Sequence, residues 1–138
     1  MYTFFTEPEL LASFAPLLLP AARNFSTVVG HSLFGDLFLR SAETGEYAIL
    51  IASTLELVGT GEVDEVGFRT QVLANPEVVQ TLLRPDDVAV LARRLGAPDR
   101  EQAYYPVPLP ILGGSGELGT FQKGGLREYL SIVAQSFQ

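Results

Sequence analysis

Gly114-Ser115-Gly116-Glu117-Leu118-Gly119 spells G-x-G-x-x-G, the spacing with which a dinucleotide-binding turn brings its backbone against a pyrophosphate. That chemistry needs a helix opening at the glycines inside a strand-helix-strand unit. Gly124 and Gly125 interrupt any such helix. The string is therefore read as a glycine loop, with Gly113 or Gly114 in a positive-φ conformation and no bound cofactor. Ser115 is not a nucleophile elbow, because Gly113 stands two places before it but Glu117 two places after it. His31 is the chain's single histidine and there is no cysteine, so multi-histidine metal sites, thiolate sites and a catalytic thiol are all excluded. A carboxylate-assisted role stays open for His31, beside the alternative of a hydrogen-bonded residue in a strand.

Two acidic groups could pair as acid and base in a cleft: Glu62 with Asp64 and Glu65, and Asp86 with Asp87. Both fall where helices should begin, and there carboxylates cap free N–H groups and offset the helix dipole. Tyr104 and Tyr105 have no basic residues interleaved with them, which does not suit a base-stacking platform. A large apolar face with a polar tip suits a protein interface better. No catalytic residue, metal site or cofactor is assigned.

The elements that must position these residues follow from patterning. Thr6, Pro8 and Glu9 form a capping-box signature that predicts a helix through Leu10, Leu11 and Phe14, stopped by Pro16 and Pro20, so residues 1–29 are expected to be an N-terminal helical extension. Short apolar runs then predict strands over Thr27–Leu33, Gly35–Arg40, Tyr47–Ser53 and Leu55–Val58. The second and third should form an antiparallel hairpin, and Tyr47–Ala52, apolar on both faces, should be a central strand covered on each side. Helices are expected from the acidic start at Glu62, from Asn75-Pro76, and from Arg84-Pro85 to Gly96. Tyr104–Leu112, with its prolines, is expected to be an edge strand or an extended segment, and Leu126–Phe137 an amphipathic helix with Leu126, Leu130, Val133 and Phe137 on one stripe. The fold class is α+β, an antiparallel sheet packed against helices, in one domain over residues 1–138.

Composition agrees with that outline. A chain of 138 residues, 47% of them hydrophobic, can bury a core without disulfides or a structural metal. Sixteen acidic residues against nine basic ones give a formal charge of −7, the wrong sign for gripping nucleic acid phosphates or an anionic membrane. A basic partner, such as a protein that itself binds nucleic acid, is electrostatically matched. The apolar stretch Leu10–Ala22 is too short to span a bilayer, and Glu7 and Glu9 before it do not make a secretory leader, so a cytoplasmic protein is expected.

Gln102-Ala103-Tyr104-Tyr105-Pro106-Val107-Pro108-Leu109-Pro110-Ile111-Leu112-Gly113-Gly114, followed by a polar stretch and a terminal helix carrying Ala134-Gln135, resembles the C-terminal domain of bacterial immunity proteins that neutralise type VI secretion DNase effectors. Leu33–Arg40 with Thr44-Gly45-Glu46 looks like that family's first hairpin, so the resemblance covers roughly residues 30–138. It implies a non-catalytic binding protein that inhibits a cognate nuclease-like toxin stoichiometrically. On that view Glu62, Asp64, Glu65, Asp86 and Asp87 steer a basic partner, and Tyr104 and Tyr105 anchor it. The competing expectations are a small ligand-binding or enzymatic domain using the Gly113–Gly119 loop, and a structural domain that self-associates as a homo-oligomer.

Overall fold

Leu37, Phe38 and Leu39 set the layering of the molecule, because successive side chains of a strand point to opposite faces. In the computed structural model, which describes residues 1–137, they lie in β3 (Leu37–Arg40). This strand runs between β2 (Thr27–Ser32) and β4 (Tyr47–Leu50), with β1 (Tyr2–Leu10) and β5 (Leu57–Gly59) at the edges of an antiparallel sheet ordered β1-β2-β3-β4-β5. The hairpin register pairs Leu37 with Leu50, Phe38 with Ile49 and Leu39 with Ala48. All four residues of β4 are buried, as a strand apolar on both faces requires.

One face of the sheet presents Val28, Leu37, Leu39, Ala48 and Leu50 to Leu11, Phe14 and Leu18 and to Leu126, Leu130 and Val133. Leu11 and Phe14 belong to the short helix α1 (Leu11–Phe14) and Leu18 to a 3-10 turn Pro16–Leu18 that runs into α2 (Leu19–Ala22); the others belong to α6 (Leu126–Ser136). On the opposite face Val29, Phe38, Tyr47 and Ile49 pack against Phe68, Leu73 and Leu83. Phe68 sits edge-on to Phe38 at 5.3 Å between centroids and stacks on Tyr47 at 5.1 Å.

That second cover is a run of short helices. Asp64 Oδ1 accepts the Gly67 N–H at 2.6 Å and starts α3 (Glu65–Gly67), which continues as wider i→i+5 turns over Phe68–Leu73. Asn75 Oδ1 accepts the Glu77 N–H at 2.9 Å and, with Pro76 in the first turn, starts α4 (Pro76–Val78), continued likewise over Val79–Leu83. Arg84, left-handed at φ +50°, turns the chain into α5 (Pro85–Leu95), which stops at Gly96 with φ +82°. A second antiparallel sheet, β6 (Gln102–Pro106) with β7 (Phe121–Gly125), packs Tyr104 and Phe121 against Phe34 and Leu91.

Three sequence expectations are corrected. Residues 1–29 are a helical extension only in their middle part: Tyr2–Leu10 is an edge strand, helical turns fill Leu11–Ala22 except at Ala15, and β2 has begun by Thr27. Tyr2 and Phe4 pack edge-on and tilted against Phe38, so a side-chain cluster outweighs the local capping signature. Gly30 makes this pairing possible, since a Cβ there would run into the Thr3 carbonyl oxygen. The signature itself falls in the break between the Phe4 and Glu9 pairings. Phe121–Gly125 is a strand that the sequence did not announce. Phe137, expected on the buried stripe of α6, is 42% exposed, while Leu126, Leu130 and Val133 are buried.

Candidate functional site

The first acidic group collects around the start of α3. Asp64 is its cap, Glu65 pairs with Arg69 at 3.0 Å, and Glu62 reaches back against Gly67. Between these carboxylates stand Val63 and Val66, 61% and 72% exposed. Nothing in the packing of the sheet requires them there. The second group heads α5, where Asp86 is exposed and Asp87 Oδ2 accepts from Arg84 Nε at 2.9 Å. Within each group the carboxylates are engaged separately, Asp64 as a cap, Glu65 with Arg69 and Asp87 with Arg84.

The adjacent tyrosines part company. Tyr104 is fully buried among Phe34, Leu91 and Phe121, and its hydroxyl donates to the Gly96 carbonyl at 2.6 Å. It is therefore not a surface anchor: the pleat of β6 turns it inward against α5. Tyr105 faces the other way, half-buried, with its ring stacked on Tyr129 at 4.5 Å and an interplanar angle of 4°.

Gly113 adopts φ +99°, and Gly114 lies so close to the Pro108 carbonyl that a side chain has no room. Their N–H groups are spent on Pro110 and Leu109 carbonyls at 3.0 Å each. After Gly119 the chain enters β7 rather than a helix, so the geometry of a dinucleotide fingerprint is not formed.

His31 is 2% exposed, with Nδ1 at 2.8 Å from the Ser32 carbonyl and Nε2 without a hydrogen-bonding partner among the described residues. Burial lowers its pKa, opposed by the Ser32 bond and by Glu101 acting through space, so the neutral ring is favoured. Among the described residues no carboxylate is hydrogen-bonded to it, so the geometry of a carboxylate-assisted role is not formed there.

The residue that sequence reasoning passed over is Asp36. It is 6% exposed, its Oδ1 accepts the Ala52 N–H at 2.9 Å, and its Oδ2 accepts the Ser32 hydroxyl at 2.9 Å. Burial pushes its carboxyl up to about 6, partly offset by these bonds and by Arg84. Asp36 borders a cavity of about 250 Å³ between the ends of β3 and β4, the second sheet and α6. A lone acid inside the apolar run Leu33–Leu39 was the available signal. Among the described residues, no cluster of three or more His, Asp or Glu side chains could hold a metal, and no helix is long and apolar enough to cross a membrane.

The molecule is a single α+β domain in which Asp64 caps α3 and Asp86 and Asp87 stand in the first turn of α5. Residues 67–136, just over half of the chain, match the family described as T6SS immunity protein Tdi1, C-terminal. The chain belongs to that family, as the resemblance carried by Gln102–Gly114 and Ala134-Gln135 implied. Among solved structures it is similar to the crystal structure of Atu4351 from Agrobacterium tumefaciens, with a TM-score of 0.66 and 16% identity over 97% of this chain. The chain spans 66% of that protein's length, and the likeness concerns the fold. No match was found among curated proteins.

Proposed function

We propose that this chain is a non-catalytic immunity protein that neutralises a nuclease-like toxin by forming a stoichiometric complex with it. The observation that carries the proposal is the family match over residues 67–136. The start of α3 supports it, because Val63 and Val66 offer an apolar centre and Glu62, Asp64 and Glu65 a charged rim, the division of labour found at protein interfaces. Asp86 and Asp87 add to the field that draws in a basic partner, and Tyr105 is a subsidiary contact. A nuclease cleft is lined by basic groups for phosphates, so an acidic protein can occupy it without binding nucleic acid itself. The protective encounter takes place in the cytoplasm, where the nucleic acid to be protected lies.

Co-expression with a strongly basic nuclease-like toxin encoded beside it tests the reading. The chain should restore growth and co-purify with the toxin as a complex of fixed ratio in size-exclusion chromatography with light scattering. Growth arrest with no complex sinks the proposal. A complex that forms while the toxin still cuts DNA removes neutralisation and leaves only binding.

A further inference from the structure

The cavity beside Asp36 has the character of a receptor site for which nothing in toxin neutralisation calls. It measures about 250 Å³ and its walls are largely apolar and aromatic, with Phe34, Leu82, Leu109 and Phe121 among them. Two ionic side chains border it. Arg84 is already engaged: its Nε bonds Asp87 at 2.9 Å, and its guanidinium lies over the Phe34 ring at 4.4 Å and the Phe121 ring at 5.6 Å. Asp36 has no cation bonded to it; its two short bonds come from a backbone N–H and a hydroxyl, both neutral donors. Arg84 is near enough to favour the ionised Asp36 but is bonded to Asp87, so the Asp36 carboxylate borders the cavity with no cation bonded to it among the described residues.

Those same bonds fix the carboxylate's direction. Ser32 is itself locked, because its hydroxyl receives the Phe34 and Asp36 N–H groups at 3.2 and 3.1 Å. Each Asp36 oxygen still has acceptor capacity after one bond. An amide could accept from Ala52 but not also from the Ser32 hydroxyl, whose own oxygen is already taken by two N–H groups, so the carboxylate ties the Ser32 turn to Ala52; the same side chain borders the cavity, and that placement the tie does not require.

We propose that this cavity binds a small organic cation, an ammonium group on an apolar or aromatic stem, with Asp36 receiving the charge and the Phe34, Leu82 and Phe121 walls covering the stem. Its volume lies below the roughly 300–1,000 Å³ of pockets for drug-sized ligands, which restricts the stem to about one ring or a short alkyl chain. The charge Asp36 carries at neutral pH is consistent with its carboxyl lying at about 6. The proposal is independent of the toxin. The same chemistry could be delivered by a free amine or by a lysine of another protein, and the test separates these sources.

Calorimetry with the full chain at pH 7.5 would use 2-phenylethylamine for the free amine, Nα-acetyl-lysine methylamide for a protein-borne lysine, and 2-phenylethanol as the uncharged control. Either amine should bind at least about tenfold more tightly than the alcohol, and Asp36→Asn, which preserves an acceptor for Ala52, should remove that advantage. The tighter of the two amines assigns the source. Ile111→Trp, a substitution at the exposed part of the cavity wall, should abolish binding while leaving the thermal transition cooperative, so the conclusion does not depend on one variant folding. If neither amine binds, or if the alcohol binds as well as both amines, the proposal is overturned. Binding that survives Asp36→Asn in a folded protein overturns it as well.

Discussion

In β3 every apolar side chain is buried, Leu37 and Leu39 on one face and Phe38 on the other, whereas the first turn of α3 leaves Val66 72% exposed beside Asp64 and Glu65. Both segments carry apolar residues at high density. They differ in what stands opposite. The strand is covered twice, by Phe14 and Leu130 on one side and Phe68 and Leu83 on the other, while Val63 and Val66, an apolar ridge at the start of α3, stay 61% and 72% exposed. Burial therefore assigns the first group to holding the fold and leaves the second free for other work. Substitutions in the two regions should separate cleanly into losses of stability and losses of binding.

The largest effect belongs to the strand. Phe38→Ala removes a ring that contacts Tyr2, Phe4 and Phe68, and should lower stability by about 3–5 kcal/mol in urea denaturation. A loss no larger than that of a surface substitution would break the comparison. The next effect is one of pH. The Asp36 carboxyl is raised from its ordinary 3.8 to about 6 in the folded chain, so between these values the folded state holds more proton than the unfolded one. Its stabilising contribution is full below about pH 4 and is lost as pH rises through about 6. His31 acts in the opposite sense, because its depressed pKa makes stability fall as pH drops below 6.5. The difference between the stability profiles of the native chain and Asp36→Asn isolates the carboxylate; a flat difference across pH 4–6 would contradict its buried, charged state.

Smaller changes sharpen the other half of the contrast. Asp64→Ala takes away the cap of α3 and should cost about 1 kcal/mol, read as a modest drop in melting temperature. Reversing Asp86 and Asp87 to lysine should slow association with a basic toxin several-fold at low salt, by an amount that shrinks as salt is added, with dissociation nearly unchanged. Val66→Asp should do the reverse, speeding dissociation with stability altered by less than about 0.5 kcal/mol. Equal effects of all three on melting temperature alone would mean that the ridge only caps helices.

The strands from Thr27 to Gly59 could be read from the sequence because their cause is local: dense apolar runs broken by turn residues leave few alternatives. So could the caps at Asp64 and Asn75 and the stop at Gly96. Tyr2–Leu10 could not, since Thr6, Pro8 and Glu9 imitate a helix start, and the forces that overrule them are a partner strand beyond the helical turns of Leu11–Ala22 and the aromatic cluster around Phe38. Phe121–Gly125 has no period to detect, and its strand exists because β6 lies beside it. The cavity was invisible for a related reason. Its walls come from Phe34, Ile51, Leu82, Tyr104 and Val133, positions that no local pattern connects. Only Asp36 marked the place, as a charge where its neighbours are all apolar.

Arg127 reaches from α6 to Glu9 at 3.2 Å and to Glu101, joining the far end of β1 to the last helix across 118 residues. Every neighbouring pair in the large sheet is also consecutive along the chain, and β2 to β5 are joined by short loops, so that part of the meander can assemble as it leaves the ribosome. The closing contacts cannot. Leu11, Phe14 and Leu18 share one face of the sheet with Leu126, Leu130 and Val133, so that face cannot be fully covered until α6 has been made. Truncated chains that stop before Leu126 should expose that face to dye binding and aggregate, and Arg127→Ala should speed unfolding more than it slows refolding, the kinetic mark of an interaction made after the transition state.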